Sequence, residues 1–113
     1  MIQIYHNPRC TKSRECLAFL EASGHEYQVV KYLDTPPTFD ELKSIITKLN
    51  IKPIQLVRQK EKIWIENFKN KVLSDDEVIQ ILVLNPILIE RPIVINGEKA
   101  AIARPLENLI SII

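Results

Sequence analysis

A chain of 113 residues, 46% hydrophobic and 26% charged, fits one domain and suffices for a single hydrophobic core. Its formal net charge of +1, with both signs interspersed, excludes the basic footprint of a nucleic-acid binder, and no apolar run approaches the ~20 residues of a membrane helix. Two cysteines make no disulfide scaffold, and the first residues read as strand rather than export signal, so a reducing, cytoplasmic setting is expected.

The chain opens on a short apolar strand, with Ile2 and Ile4, that runs into the turn His6-Asn7-Pro8-Arg9. The turn delivers Cys10 to a helix expected from about Thr11 to Ser23, stopped by Gly24 as a C′ glycine. At a helix start, unpaired backbone N–H groups and the positive end of the helix dipole converge. Such a place favours a thiolate, and the same N–H groups can cradle a tetrahedral oxyanion. Arg9, Lys12 and Arg14 add cationic charge within the same turn or two. Free cysteines are mostly packing residues, but Pro8 before and Thr11, Lys12 and Ser13 after are poor company for a core site. Cys10 is therefore the candidate nucleophile.

Cys16 shares an apolar stripe with Leu17 and Leu20 and reads as core. Six residues of helix separate it from Cys10 by about 9 Å along the axis, beyond the roughly 7 Å a disulfide tolerates between Cα atoms. Ser13 stands where a C-x-x-C would need its second cysteine, and two cysteines with two histidines, so scattered, make no metal pattern.

Residues Glu26 to Leu33, rich in β-branched and aromatic side chains, read as a second strand, completing a βαβ unit with parallel strands. After Asp34 to Pro37 breaks the chain, Thr38 and Glu41 form a capping box for a helix burying Leu42, Ile45, Ile46 and Leu49. The middle, Ile51 to Leu84, is helical in character without a convincing strand. A short helix is expected from about Pro53 to Arg58, Ile63 to Phe68 is ambiguous, and Trp64 with Phe68 reads as packing. Ser74 and Glu77 box a further helix that buries Val78, Ile81 and Leu82 and ends near Asn85-Pro86.

In the last third, Asn96-Gly97 between two short apolar runs signals an antiparallel hairpin of type I′. Pro105 opens a closing helix with Leu106, Leu109, Ile110 and Ile113 on its face. The order βα, βα, helical insertion, ββα predicts an α/β fold with a mixed four-stranded sheet flanked by helices. That is the thioredoxin layout. Arg91 and Arg104 each precede a proline, which holds them extended at strand ends, where α/β ligand sites gather.

H-N-P-x-C at His6 to Cys10, Y-L-x-T-P-P at Tyr32 to Pro37, N-P-I-L at Asn85 to Leu88, R-P-I-V at Arg91 to Val94 and the final Arg104-Pro105 together resemble the ArsC-type arsenate reductases coupled to glutaredoxin. The match is collinear over essentially the whole chain. Arg58 to Glu61, R-Q-K-E, and the hairpin bring it nearest to a less characterised bacterial subgroup.

The resemblance implies one thioredoxin-like domain over residues 1–113, with a helical insertion at about 38–86 and Pro92 in the cis position beside the active cysteine. It implies Cys10 as nucleophile, with Arg58, Arg91 and Arg104 binding the oxyanion and the covalent arsenic intermediates. His6 and Ser13 match positions that help keep the cysteine ionised. Asn7, Arg9, Thr11 and Lys12 complete the supporting turn. No bound cofactor is implied; glutathione is the co-substrate, glutaredoxin the protein partner, and the chain a monomer. Two other functions compete: a general thiol oxidoreductase acting on glutathione mixed disulfides, and an Spx-like regulator contacting RNA polymerase. Ser13, in place of a second cysteine, counts against the regulator.

Overall fold

Four short strands pair into one mixed sheet in the computed structural model, which describes residues 1–113. They are β1 (Ile2–Tyr5), β2 (Tyr27–Val30), β3 (Ile93–Asn96) and β4 (Lys99–Ile102), in the order β2-β1-β3-β4. β1 pairs parallel with β2 and antiparallel with β3, and β3 pairs antiparallel with β4. The chain divides into two compact units, Met1–Thr35 with Arg91–Ile113, and Pro36–Glu90. The helical insertion read at about 38–86 lies inside the second.

The first unit holds the sheet, the helix α1 (Thr11–Ser23) and a closing 3₁₀ helix, Leu106–Ser111. Alternation along β1 sends Ile2 and Ile4 to one face. There they cluster with Cys16 and Leu20 of α1, Val94 of β3, Ala103, Leu109 and Ile112. Each enclosed Leu or Ile side chain is worth about 1.5–3 kcal/mol over leaving it in water. Gly24 ends α1 with φ 77°, the left-handed region where a side chain would be strained.

Three local expectations change in this unit. β2 stops at Val30 rather than Leu33, because Asp34 and Thr35 both donate backbone N–H groups to the Lys31 carbonyl (3.0 and 2.9 Å) and turn the chain. The hairpin's two linking residues are Gly97 and Glu98, since Asn96 pairs with Lys99. Gly97 alone takes a positive φ (63°), the glycine-first pattern of type II′; type I′ needs two such residues. The closing helix is 3₁₀, and Pro105 caps it in extended conformation instead of lying in its first turn. A three-residue repeat suits that geometry: Leu106, Leu109 and Ile112 meet the core, while Ile110 is 72% exposed.

In the second unit, the helix α2 (Phe39–Leu49) starts at the Thr38 capping box, with Glu41 N–H donating to Thr38 Oγ1 and Thr38 N–H to Glu41 Oε1, both at 3.2 Å. It buries Leu42, Ile45 and Ile46, and Asn50 ends it at φ 55°. A 3₁₀ turn at Pro53–Leu56 is followed by α3 (Lys62–Asn67), which resolves the ambiguous stretch as a helix one turn and a half long. Trp64 is buried against Phe68, ring centroids 5.6 Å apart. The Ser74 box opens α4 (Asp75–Leu84), whose buried residues are Val78, Ile79 and Leu82; Ile81 is half-buried. A single antiparallel bridge, Val57 with Ile89, supplies the strand-like pairing the middle region was not expected to contain.

Candidate active site

The topology brings several separate stretches of the first unit to one end of its sheet. β1 and β2 run parallel and finish there, leading into His6 and Lys31. Tyr5 pairs with Ile93 and Ile93 with Ile102, so Arg91-Pro92 enters β3 and Ala103-Arg104 leaves β4 at that same end. Both Arg-Pro peptide bonds are cis. Pro92 is fully buried, its carbonyl accepts the Ala103 N–H at 3.0 Å, and the Arg91 carbonyl accepts from Arg104 Nη1 at 3.3 Å. Asn108 donates to the carbonyls of Ile102 (3.0 Å) and Arg104 (3.4 Å), tying the closing helix to the second Arg-Pro step. Arg91 is half-buried and Arg104 exposed.

The turn before Cys10 is built from local hydrogen bonds. His6 N–H donates to Val30 O at 2.9 Å, extending the parallel ladder by one residue. Cys10 N–H donates to Asn7 O and Arg9 N–H to Asn7 Oδ1, both at 3.0 Å, a β-turn reinforced by an Asx turn. Asn7 N–H in turn donates to the Ser13 hydroxyl at 3.1 Å, and Ser13 is wholly enclosed. Arg14 reaches back from α1, Nη1 donating to Pro8 O (2.9 Å) and Nη2 to Thr11 Oγ1 (3.3 Å). Lys12 pairs with Glu15 at 3.7 Å, and Arg9 and Thr11 are exposed.

Cys10 is the N-cap of α1, in extended conformation, and its side chain caps none of the helix N–H groups. Its carbonyl accepts the Arg14 N–H at 3.0 Å, which leaves the N–H groups of Thr11, Lys12 and Ser13 outside the helical ladder. No acidic residue lies in that first turn. An anion would therefore meet aligned donors and the positive end of the helix, with no carboxylate of that turn to repel it. Cys10 is 7% exposed, more enclosed than its polar neighbours suggest, yet it does not belong to the apolar cluster that holds Cys16. Both cysteines are free thiols, and burial pushes Cys16 up to about 11.

His6 is 6% exposed, and its Nδ1 has no hydrogen-bond partner. Burial lowers its pKa below 6.5, and the charges of Lys31 and Arg14 lower it further, while the Ser13 backbone pulls weakly the other way. Burial and the two nearby positive charges thus both favour the neutral imidazole. Arg58 belongs to the second unit. Its N–H donates to Leu88 O at 2.8 Å, and its guanidinium is paired with Glu61 at 2.6 Å, both side chains about a quarter exposed. No group of three His, Cys, Asp or Glu side chains could hold a metal ion, and no helix is long and apolar enough to cross a membrane.

Sequence reasoning passed over two residues of this region. Lys31 follows β2, whose parallel pairing with β1 carries it to the Cys10 end; that pairing was the signal. Arg14 was read only as one more cation, although a side chain four residues into a helix leans back over the preceding turn.

A mixed sheet in this order, with a cysteine opening the first helix and a cis proline entering the third strand, defines a thioredoxin-like protein. The profile of the ArsC family matches residues 5–112, and the chain belongs to that family. It is 44% identical over 114 residues to an arsenate reductase of Neisseria meningitidis, covering 99% of this chain and 97% of the relative. An arsenate reductase of Haemophilus influenzae is 44% identical over 112 residues, with 97% of each chain covered. The structure of an arsenate reductase from Vibrio cholerae matches with a TM-score of 0.94 at 42% identity, over 99% of this chain and 97% of that one.

Proposed function

We propose that this protein reduces arsenate to arsenite, with Cys10 as the nucleophile and glutathione, working through glutaredoxin, as the source of electrons. The observation that carries the reading is Cys10 at the uncapped start of α1, at the sheet end where Arg91 and Arg104 also emerge. Family membership and the arsenate reductase relatives support it. Arg58, held by Glu61 within the second unit, enters through the family resemblance alone.

Arsenate near neutral pH is a tetrahedral dianion, and guanidinium forks bind its oxygens with charge-assisted hydrogen bonds. Those cations and the first-turn N–H groups offset the repulsion between a thiolate and a dianion. Attack by Cys10 forms an S–As bond as one arsenate oxygen departs, protonated to water. A glutathione thiolate then enters, arsenic(V) gains two electrons and leaves as arsenite, and each sulfur gives up one electron as the Cys10–glutathione disulfide forms. Glutaredoxin with further glutathione reduces that disulfide and restores the thiol. A chain with no second thiol beside the nucleophile must borrow its reductant in this way. The enzyme acts as a cytoplasmic monomer and needs no bound cofactor.

The test is arsenate-dependent NADPH oxidation in the presence of glutathione, glutaredoxin and glutathione reductase. Turnover by the wild type that vanishes in Cys10→Ser is the expected result. Full activity in Cys10→Ser overturns the proposal, and turnover of a model glutathione mixed disulfide with none of arsenate replaces it with general thiol oxidoreduction.

A further inference from the structure

The turn that presents Cys10 has an exposed outer edge, Pro8 and Arg9, and Pro8 has no N–H with which to anchor itself. From the inside, Asn7 is held by Cys10, Arg9 and Ser13. From the outside, the Arg14 guanidinium lies across it, spanning the Pro8 carbonyl at 2.9 Å and the Thr11 hydroxyl at 3.3 Å. One acceptor precedes Cys10 and the other follows it. The two bonds therefore close a bracket around the nucleophile, joining the loop to the first turn of α1.

We propose that Arg14 is a positioning residue for Cys10, its two-pronged grip on Pro8 and Thr11 holding Cys10 in place at the open start of α1. The inference rests on the reading of Cys10 as nucleophile and deepens it. A guanidinium is suited to the task because its two terminal nitrogens are held in one plane at a fixed separation, so both acceptors are met without further ordering. A lysine ammonium carries the same charge from a single nitrogen and cannot hold both acceptors in that geometry.

The experiment compares wild type with Arg14→Lys, which keeps the charge and loses the fork, and Arg14→Gln, which loses both. Four quantities are read: kcat and KM for arsenate in the coupled assay, the alkylation rate of Cys10 by neutral iodoacetamide, and the urea unfolding midpoint. A side chain on the exposed face of α1 leaves folding intact, so midpoints should stay near wild type. The expected result is a kcat lowered on the order of tenfold in both variants with KM held within about twofold, the mark of lost orientation. Cys10 in Arg14→Lys should alkylate faster than in wild type, because the loosened turn uncovers it while the charge is unchanged. Wild-type turnover in Arg14→Lys, whatever Arg14→Gln does, overturns the proposal by reducing Arg14 to a charge. An unchanged alkylation rate in Arg14→Lys overturns it as well, and that arm reads the grip without arsenate. A wild type inert toward arsenate instead overturns the proposed reaction, leaving the alkylation comparison to decide on Arg14.

Discussion

Cys16 is packed among Leu20, Val94 and Leu109 with no exposure, and burial lifts its thiol to about 11; Cys10 stands at the open start of the same helix, at the sheet end to which His6 and two Arg-Pro steps also belong. The residue type is identical, and so is the element that carries it. What separates the two is position along α1. At the N-cap, backbone donors lack helical partners and no acid competes for them, whereas two turns later every N–H is spent on the ladder and the side chain meets only hydrocarbon. A thiol's chemistry is assigned here by where the helix places it.

Replacing each cysteine in turn is the most forceful way to break this contrast. Cys10→Ser should abolish arsenate turnover, by more than about a hundredfold in the coupled assay, with little change in unfolding midpoint. Cys16→Ser should do the reverse, keeping turnover while costing about 1–3 kcal/mol in urea unfolding, because a buried hydroxyl replaces a group that needed no partner. Loss of turnover in Cys16→Ser at full stability would erase the distinction. Next in size, Arg91→Ala should weaken oxyanion binding by roughly 2–5 kcal/mol, read as the arsenate concentration that protects Cys10 from alkylation. Equal protection in both proteins would detach Arg91 from the Cys10 end.

The pH dependence of stability gives two smaller effects with opposite signs. Cys16 has a folded pKa of about 11 against an ordinary 9.0. The native state keeps its proton where the unfolded chain releases it, so stability is full below pH 9 and declines between pH 9 and 11. His6 has a folded pKa below 6.5. Here the unfolded chain binds the proton first, so stability is full above pH 6.5 and declines as pH falls beneath it. Thermal melts across both windows should show the alkaline decline flattened in Cys16→Ala and the acidic one flattened in His6→Gln. Unaltered slopes would mean these groups titrate alike in both states.

Much of this arrangement is legible from the chain because its signals are local. Gly24 after an apolar stripe, the Thr38 and Ser74 boxes and the alternation around Ile4 each draw on physics that acts within a few residues, and the corresponding elements form where those rules put them. Failures come where a distant or subtle interaction decides. Asn96-Gly97 carries the composition of one turn type, yet the Asn96–Lys99 pairing moves the linker by one residue. The closing segment has apolar residues compatible with two helical periods, and packing of Leu109 and Ile112 selects the tighter one. At the site, Cys10 could be named because the turn and helix start are contiguous, whereas His6 and Ser13 came through the family resemblance. The gathering of Arg91 and Arg104 at the same sheet end depends on strand order, which only the assembled sheet specifies. The Arg14 grip lies in side-chain geometry, to which composition is blind.

The central claim is that the thiol at the start of α1, and not its buried neighbour, makes and breaks the bonds. Incubating the protein with arsenate and glutathione, leaving out glutaredoxin, should halt the cycle after one turnover, and peptide mass spectrometry then locates the modified sulfur. Glutathione carried on Cys10, in amounts matching the arsenite released, is the expected result. Arsenite formed with Cys10 unmodified, or glutathione found on Cys16, would contradict it.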